Sequence, residues 1–237
     1  MHYLKIILTA VVALVMAQQV RAGEQELTVV ELFTSEGCSS CPPADTFVSE
    51  LAERDDILAL SLHVDYWDYI GWKDPYADPQ YTLRQRQYAK QMKLRYVYTP
   101  QVVVDGTLEG VGSDRSKILS AVAKAKSLKK VPVKLTKSPD GMTLELAAAD
   151  VGPVNVYSVF YDRLRETDVR RGENSGRRLR HANVVRDMTQ IATWQGAPLS
   201  LPVPASAKGA DVCAIILQSA RSGRIIGAAR LTLDGES

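Results

Sequence analysis

Leu27-Thr-Val-Val-Glu-Leu-Phe33-Thr-Ser-Glu-Gly-Cys38-Ser-Ser-Cys41-Pro-Pro43 is the stretch on which the reading of this chain turns. Its first seven residues form an extended apolar run, and residues 44–54 beyond it have a helix-like composition. Two cysteines separated by two residues at a strand-to-helix junction can close a small disulfide ring. The same junction can hold the first sulfur as an activated thiolate. Pro42 and Pro43 suit the first helical turn, where a missing N–H costs little. Thiol–disulfide exchange is therefore the leading expectation, with Cys38 as nucleophile and Cys41 as the thiol that resolves a mixed disulfide. A structural disulfide and a metal site are the competing readings. Zinc would need two further ligands, and no second Cys-x-x-Cys or close His pair supplies them, so no metal or other cofactor is expected.

Upstream, residues 1–22 read as an export signal. His2 and Lys5 give a weakly basic start, residues 6–17 are apolar but for Thr9, and Val20-Arg21-Ala22 ends the segment with small residues at the cleavage positions. The apolar run is too short for a comfortable membrane span, so a periplasmic or secreted protein without a stable membrane anchor is expected. The chain carries 29 Lys and Arg against 27 Asp and Glu; loss of Lys5 and Arg21 with the leader leaves 27 against 27. Nothing global steers such a chain toward nucleic acid. Its three cysteines permit a disulfide but do not make a disulfide-dense scaffold.

Downstream, short apolar runs alternate with helical segments. Residues 57–65 read as a second buried strand, and residues 81–94 as a helix rich in long polar side chains. Residues 101–105 form a third strand, Asp105-Gly106 a turn, and residues 108–111 a fourth strand. Ser113 can cap a last helix whose apolar stripe is Ile118, Leu119 and Val122. The order β-α-β-α-β-β-α predicts a parallel pair with a crossover helix, closed by a hairpin. After Lys129-Lys130 seven short strand candidates follow, separated by glycines, which predicts a β-sandwich. The expected division is a leader over 1–22, an α/β domain over 23–128 and a sandwich over 129–237. The rival arrangement is one mixed fold, in which the strand-rich tail extends the preceding sheet.

Gly37-Cys38-Ser39-Ser40-Cys41-Pro42 together with Tyr98-Thr99-Pro100 resembles the thioredoxin-like superfamily. The resemblance implies a cis Pro100 facing the cysteine pair and a Thr99 that offers backbone hydrogen bonds to an extended substrate. It makes Glu31 a candidate proton acceptor, although one extra residue separates it from Cys38, and the dipeptide between the cysteines is Ser-Ser. Over nearly the whole chain, residues 31–45, 98–106, 172–176 and 181–185 resemble a bacterial family of secreted proteins of unknown function with a thioredoxin-like first half. The implied fold is an α/β thioredoxin-like domain followed by an all-β sandwich-like domain. The implied partners are protein or small-molecule thiols and a redox partner. A non-catalytic exported binding protein with a structural disulfide is the alternative.

Further residues carry weaker signals. His63 and Asp65 share a face if the second strand runs that far, and could move a proton near the sulfurs. Tyr66, Trp67, Tyr69, Trp72 and Tyr76 either pack a long connection or line a peptide shelf. Residues 163–180 alternate Arg with Asp or Glu around glycines and read as a solvated hairpin. His181 and Asn183 could polarise one another, and Cys213 reads as a buried free thiol.

Overall fold

The computed structural model describes residues 26–205 and 209–233, so the leader expected over residues 1–22 lies outside them. Strand β1 (Thr28–Thr34) and strand β2 (Ile57–His63) are buried along their whole length. That explains their near-continuous apolar runs, since a central strand meets packing on both faces. They pair in parallel, joined by helix α1 (Pro42–Ala52), whose Ala44, Phe47, Val48 and Leu51 form one buried stripe. Helix α2 (Pro79–Gln91) starts at Pro79 with Asp78 accepting a hydrogen bond from the Gln80 N–H. Strands β3 (Gln101–Val104) and β4 (Leu108–Val111) make the hairpin at Asp105-Gly106, where both residues have positive φ. Helix α3 (Arg115–Lys126) is capped by Asp114 rather than by Ser113.

Seven strands follow: β5 (Lys134–Ser138), β6 (Gly141–Leu146), β7 (Val154–Asp168), β8 (Arg178–Trp194), β9 (Leu199–Val203), β10 (Val212–Ser219) and β11 (Ile225–Thr232). They do not form a sandwich of their own. Four join the first half in one eight-stranded mixed sheet, ordered β11-β10-β7-β8-β2-β1-β3-β4, and β5-β6-β9 form a small second sheet. The expected fold class, an α/β thioredoxin-like domain followed by a separate all-β sandwich, is thereby overturned. The mixed arrangement, with the strand-rich tail extending the first sheet, is the one that forms.

The physical reason lies at the β2–β8 seam. Only Ser61 and Val184 pair across it in ladder register. Side chains supply the rest: Ser61 Oγ donates to the Ala182 carbonyl and Asn183 Nδ2 to the Ala59 carbonyl, each at 2.8 Å. Asn183 has φ near 48°, a left-handed conformation that Asn tolerates better than most residues. A second tie runs through Asp105. Its carboxylate accepts from the Val29 N–H and pairs with Lys130, and its carbonyl accepts from the Ile225 N–H.

Alternation along the strands divides the core. One face of the large sheet carries Val29, Phe33, Leu58, Leu60, Val159 and Ile216 beneath Tyr81 and Tyr88 of α2. The other face is covered by α1 and α3 over β1–β3, and by the small sheet over Val156, Phe160, Ile215 and Leu217. Each fully buried Leu, Ile or Phe stabilises the fold by about 1.5–3 kcal/mol relative to exposure.

Candidate functional site

Cys38 and Cys41 form a disulfide between β1 and α1, with Cα atoms 5.4 Å apart. The intervening Ser39 and Ser40 are exposed, yet both cysteines are buried. Cys41 is the N-cap of α1, and its carbonyl accepts from the Ala44 and Asp45 N–H groups. Pro42 and Pro43 carry no N–H. The helix start therefore offers sulfur the dipole but few free backbone donors.

The Thr99–Pro100 peptide bond is cis. Antiparallel pairing of Phe33 with Gln101 lays Thr99 and Pro100 alongside the residues that lead from β1 into the cysteine loop. Trp67 links the two segments: its indole N–H donates to Thr99 Oγ1 at 2.8 Å, and its Cβ lies 3.0 Å from where a side chain on Gly37 would begin. An alanine at Gly37 would press on Trp67, which would have to give by a few tenths of an ångström. The Cys38–Cys41 loop and Thr99-Pro100 are thus brought together.

The candidate proton carriers separate. Glu31 is in mid-strand on the α2 face, where Arg84 Nε donates to it at 2.6 Å and the Tyr88 hydroxyl at 2.5 Å. Residues 30 and 32 face α1, so alternation turns Glu31 away from the helix that begins at the cysteines. Burial favours neutral Arg84, but the Glu31 charge outweighs it and holds the guanidinium firmly protonated. Asp65 lies beyond the end of β2 and accepts from Thr82 Oγ1 at 2.5 Å. Only His63 of the three reaches the region under the cysteine loop.

There it joins a buried cluster that the sequence reading did not assemble. His63 Nδ1 lies 2.7 Å from Asp74 Oδ2, which also accepts from the Glu36 N–H at 2.8 Å. Burial pushes the Asp74 carboxyl up, but His63 and these hydrogen bonds prevail and hold it below the usual carboxylate range. Glu36 Oε2 accepts from Trp72 Nε1 at 2.7 Å. His181 arrives from β8, with Nε2 3.6 Å from Glu36 Oε1 and Nδ1 3.5 Å from Asp45 Oδ1. Those separations are charge–charge contacts rather than hydrogen bonds. Neither ring nitrogen of His181 has a hydrogen-bond partner among the described residues, and the residue is 1 % exposed. Burial favours its neutral form, but the two carboxylates overcome this and raise its pKa from 6.5 to about 10. Among the described residues no group of three His, Cys, Asp or Glu side chains is arranged to hold a metal ion.

The hairpin between β7 and β8 covers the loop. Asn174 is fully buried and donates to the carbonyls of Glu36 at 2.9 Å and Cys38 at 3.0 Å. Glu173 Oε2 accepts from the Ser39 N–H at 3.3 Å. Part of the segment read as solvated is therefore packed onto the cysteines. Of the aromatic residues, Trp67 and Trp72 pack as described, Tyr66 donates to Gln85, and Tyr76 accepts from Thr167 Oγ1, while Tyr69 is 82 % exposed. Cys213 is a buried free thiol, its pKa pushed up to about 12 by burial.

Two solved structures share this architecture. Protein AGR_C_4864 from Agrobacterium tumefaciens is 33% identical with a TM-score of 0.77, over 89% of this chain and 95% of that one. HBP35 of Porphyromonas gingivalis is 17% identical with a TM-score of 0.60, over 89% of this chain and 76% of that one, a likeness of fold alone. No protein of curated function matches the sequence. The family described as Protein of unknown function (DUF1223) matches residues 29–218. With most of its length matched, this chain belongs to the DUF1223 family.

Proposed function

We propose that this protein is an exported thiol–disulfide oxidoreductase acting at Cys38–Cys41 on protein or small-molecule thiols. The observation that carries the reading is the disulfide itself, placed at a strand-to-helix junction with Thr99 and Pro100 beside its loop. A partner thiolate attacks Cys38 Sγ, the Cys38–Cys41 bond breaks, and its electron pair passes to Cys41 Sγ. A second partner thiolate displaces Cys38 from the mixed disulfide. Two thiols leave as one disulfide, and two protons complete the Cys38–Cys41 dithiol. Thr99 would position an extended substrate chain across this loop. Export rests on the leader-like residues 1–22.

Burial of both sulfurs favours the second reading, a binding protein whose disulfide only stabilises the fold. In the first reading the hairpin over Cys38 must open before a partner reaches the sulfur. A Cys41→Ser protein, challenged with a peptide disulfide, separates the two. The exchange reading expects a trapped mixed disulfide at Cys38, lost in Cys38→Ser. No trapping, with a native pair that dithiothreitol reduces only on unfolding, would establish the structural reading.

A further inference from the structure

His181 comes from the second half of the chain, some 140 residues beyond the cysteines, yet its ring meets Glu36 and Asp45, which stand just before and just after the pair in sequence. The ladder of its strand with β7 is interrupted just beyond it. Asn183, two residues on, takes the left-handed conformation and is hooked to β2 through its amide. The imidazole then stands between two carboxylates from different elements. Glu36 is two residues before Cys38, and Asp45 is on the first turn of α1 with its N–H bonded to the Cys41 carbonyl. Thr34 Oγ1 donates to Asp45 Oδ1 at 2.9 Å and fixes that carboxylate.

Burying two carboxylates costs several kcal/mol each unless they are neutralised or paired. Near a sulfur they do further harm, since each anion disfavours a thiolate. A cation between them reverses much of both effects. We infer that His181 is a charge-positioning residue for the cysteine pair: its imidazolium balances Glu36 and Asp45 and so makes the reduced Cys38–Cys41 pair acidic enough to exchange. This inference rests on the exchange reading proposed above, and it assigns His181 no direct contact with sulfur.

The surroundings are consistent with that role. The His63 ring meets the His181 ring edge-on, with centroids 4.6 Å apart, and its own partner is Asp74. Tyr76 lies on a further side, its ring centroid 6.3 Å away. Across the β7–β8 ladder the neighbour of His181 is Arg165, whose guanidinium is taken up by Asp162 at 2.7 Å. The pKa of about 10 keeps His181 charged across neutral pH.

The test is a charge-balance series on the reduced full chain, with thiolate formation followed by ultraviolet absorbance against pH. His181→Gln leaves two uncompensated carboxylates and should raise the lower thiol pKa by about one unit, roughly a tenfold loss of thiolate at neutral pH. Glu36→Gln should shift it in the opposite direction. The double variant, with one charge of each sign removed, should return close to the unchanged protein. A merely structural histidine would not be rescued by removing a carboxylate. If His181→Gln does not fold alone, the double variant compared with Glu36→Gln alone still isolates the His181 charge, and equal thiol pKa values in those two would overturn the inference. Unmoved thiol titrations in a protein that does trap partner disulfides would overturn this inference and leave exchange standing. A pair that never exchanges removes both.

Discussion

Asn174 clasps the cysteine loop by donating from one amide nitrogen to two carbonyls, those of Glu36 and Cys38. Its own Oδ1 accepts from Arg177, and Gly176 returns its N–H to the Val169 carbonyl, so the tip of the β7–β8 hairpin is internally braced. The clasp joins residues 136 and 138 positions apart in sequence. It explains why a cysteine pair with two exposed serines between its members is itself shut off from solvent.

Asn174→Ala should open this cover. The buried Glu36 carbonyl loses the Asn174 donor and the Cys38 carbonyl keeps only the Cys41 N–H at 3.2 Å, which costs about 1–3 kcal/mol of stability. The lost clasp makes local opening easier, and about 1.4 kcal/mol is a tenfold change in an opening equilibrium. Reduction of Cys38–Cys41 by dithiothreitol under native conditions should therefore accelerate by about tenfold. Equal rates in variant and unchanged protein would show that the hairpin does not limit access.

Glu31, the acid that resemblance placed near the sulfurs, is committed to Arg84 and Tyr88 on the opposite face of the sheet. Removal of one partner leaves a buried charge unpaired, so Arg84→Met should destabilise by about 3–5 kcal/mol in urea unfolding. Glu31→Gln should leave the thiol titration of the reduced cysteines unmoved. A shift of a full unit in that titration would return Glu31 to the redox centre.

The strands and helices were legible because their apolar periods are local. Residues 27–33 and 57–63 read as buried strands, and every strand proposed after Lys130 has a counterpart. Their pairing was not legible. Strand β8 meets β2 through one ladder pair and two side-chain hooks, features without a periodic signature. The polar ends of β7 and β8 read as a hairpin loop because Arg and Glu alternate there. Cys38, Cys41, Thr99 and Pro100 announced themselves as motifs. Glu36, Asp45, Asp74, Asn174 and His181 converge from distant segments, and only weak signals marked them. One was the inward period of Leu179 and His181 on β8.

Asp105 bears on whether the halves act separately. It ties β1 through the Val29 N–H, the connecting segment through Lys130, and β11 through the Ile225 N–H. With one sheet running through both halves, urea unfolding should give a single transition, coincident by tryptophan fluorescence and far-ultraviolet circular dichroism. Asp105→Ala should lower the midpoint while keeping one transition, at a cost of about 3–5 kcal/mol for the orphaned Lys130. Two separated transitions in the unchanged protein would mean that the halves fold independently despite the shared sheet.

The His181 cluster makes stability depend on pH with a definite sign. The folded pKa is about 10 against an ordinary 6.5, so the native state binds this proton more tightly than the unfolded chain. The resulting stabilisation is complete below about pH 6.5, declines as pH rises, and is gone above about pH 10. Asp74 works in the other direction: its carboxyl is held below 3.8, so its contribution is present above that pH and is lost on acidification. Unfolding free energy of the oxidised protein, measured from pH 5 to 10, should thus fall on the alkaline side by on the order of 2–4 kcal/mol. The difference between the unchanged protein and His181→Gln should carry most of that fall, being largest at low pH and shrinking toward pH 10. A difference that stays constant over this range would mean that His181 binds its proton no more tightly in the folded protein than in the unfolded one.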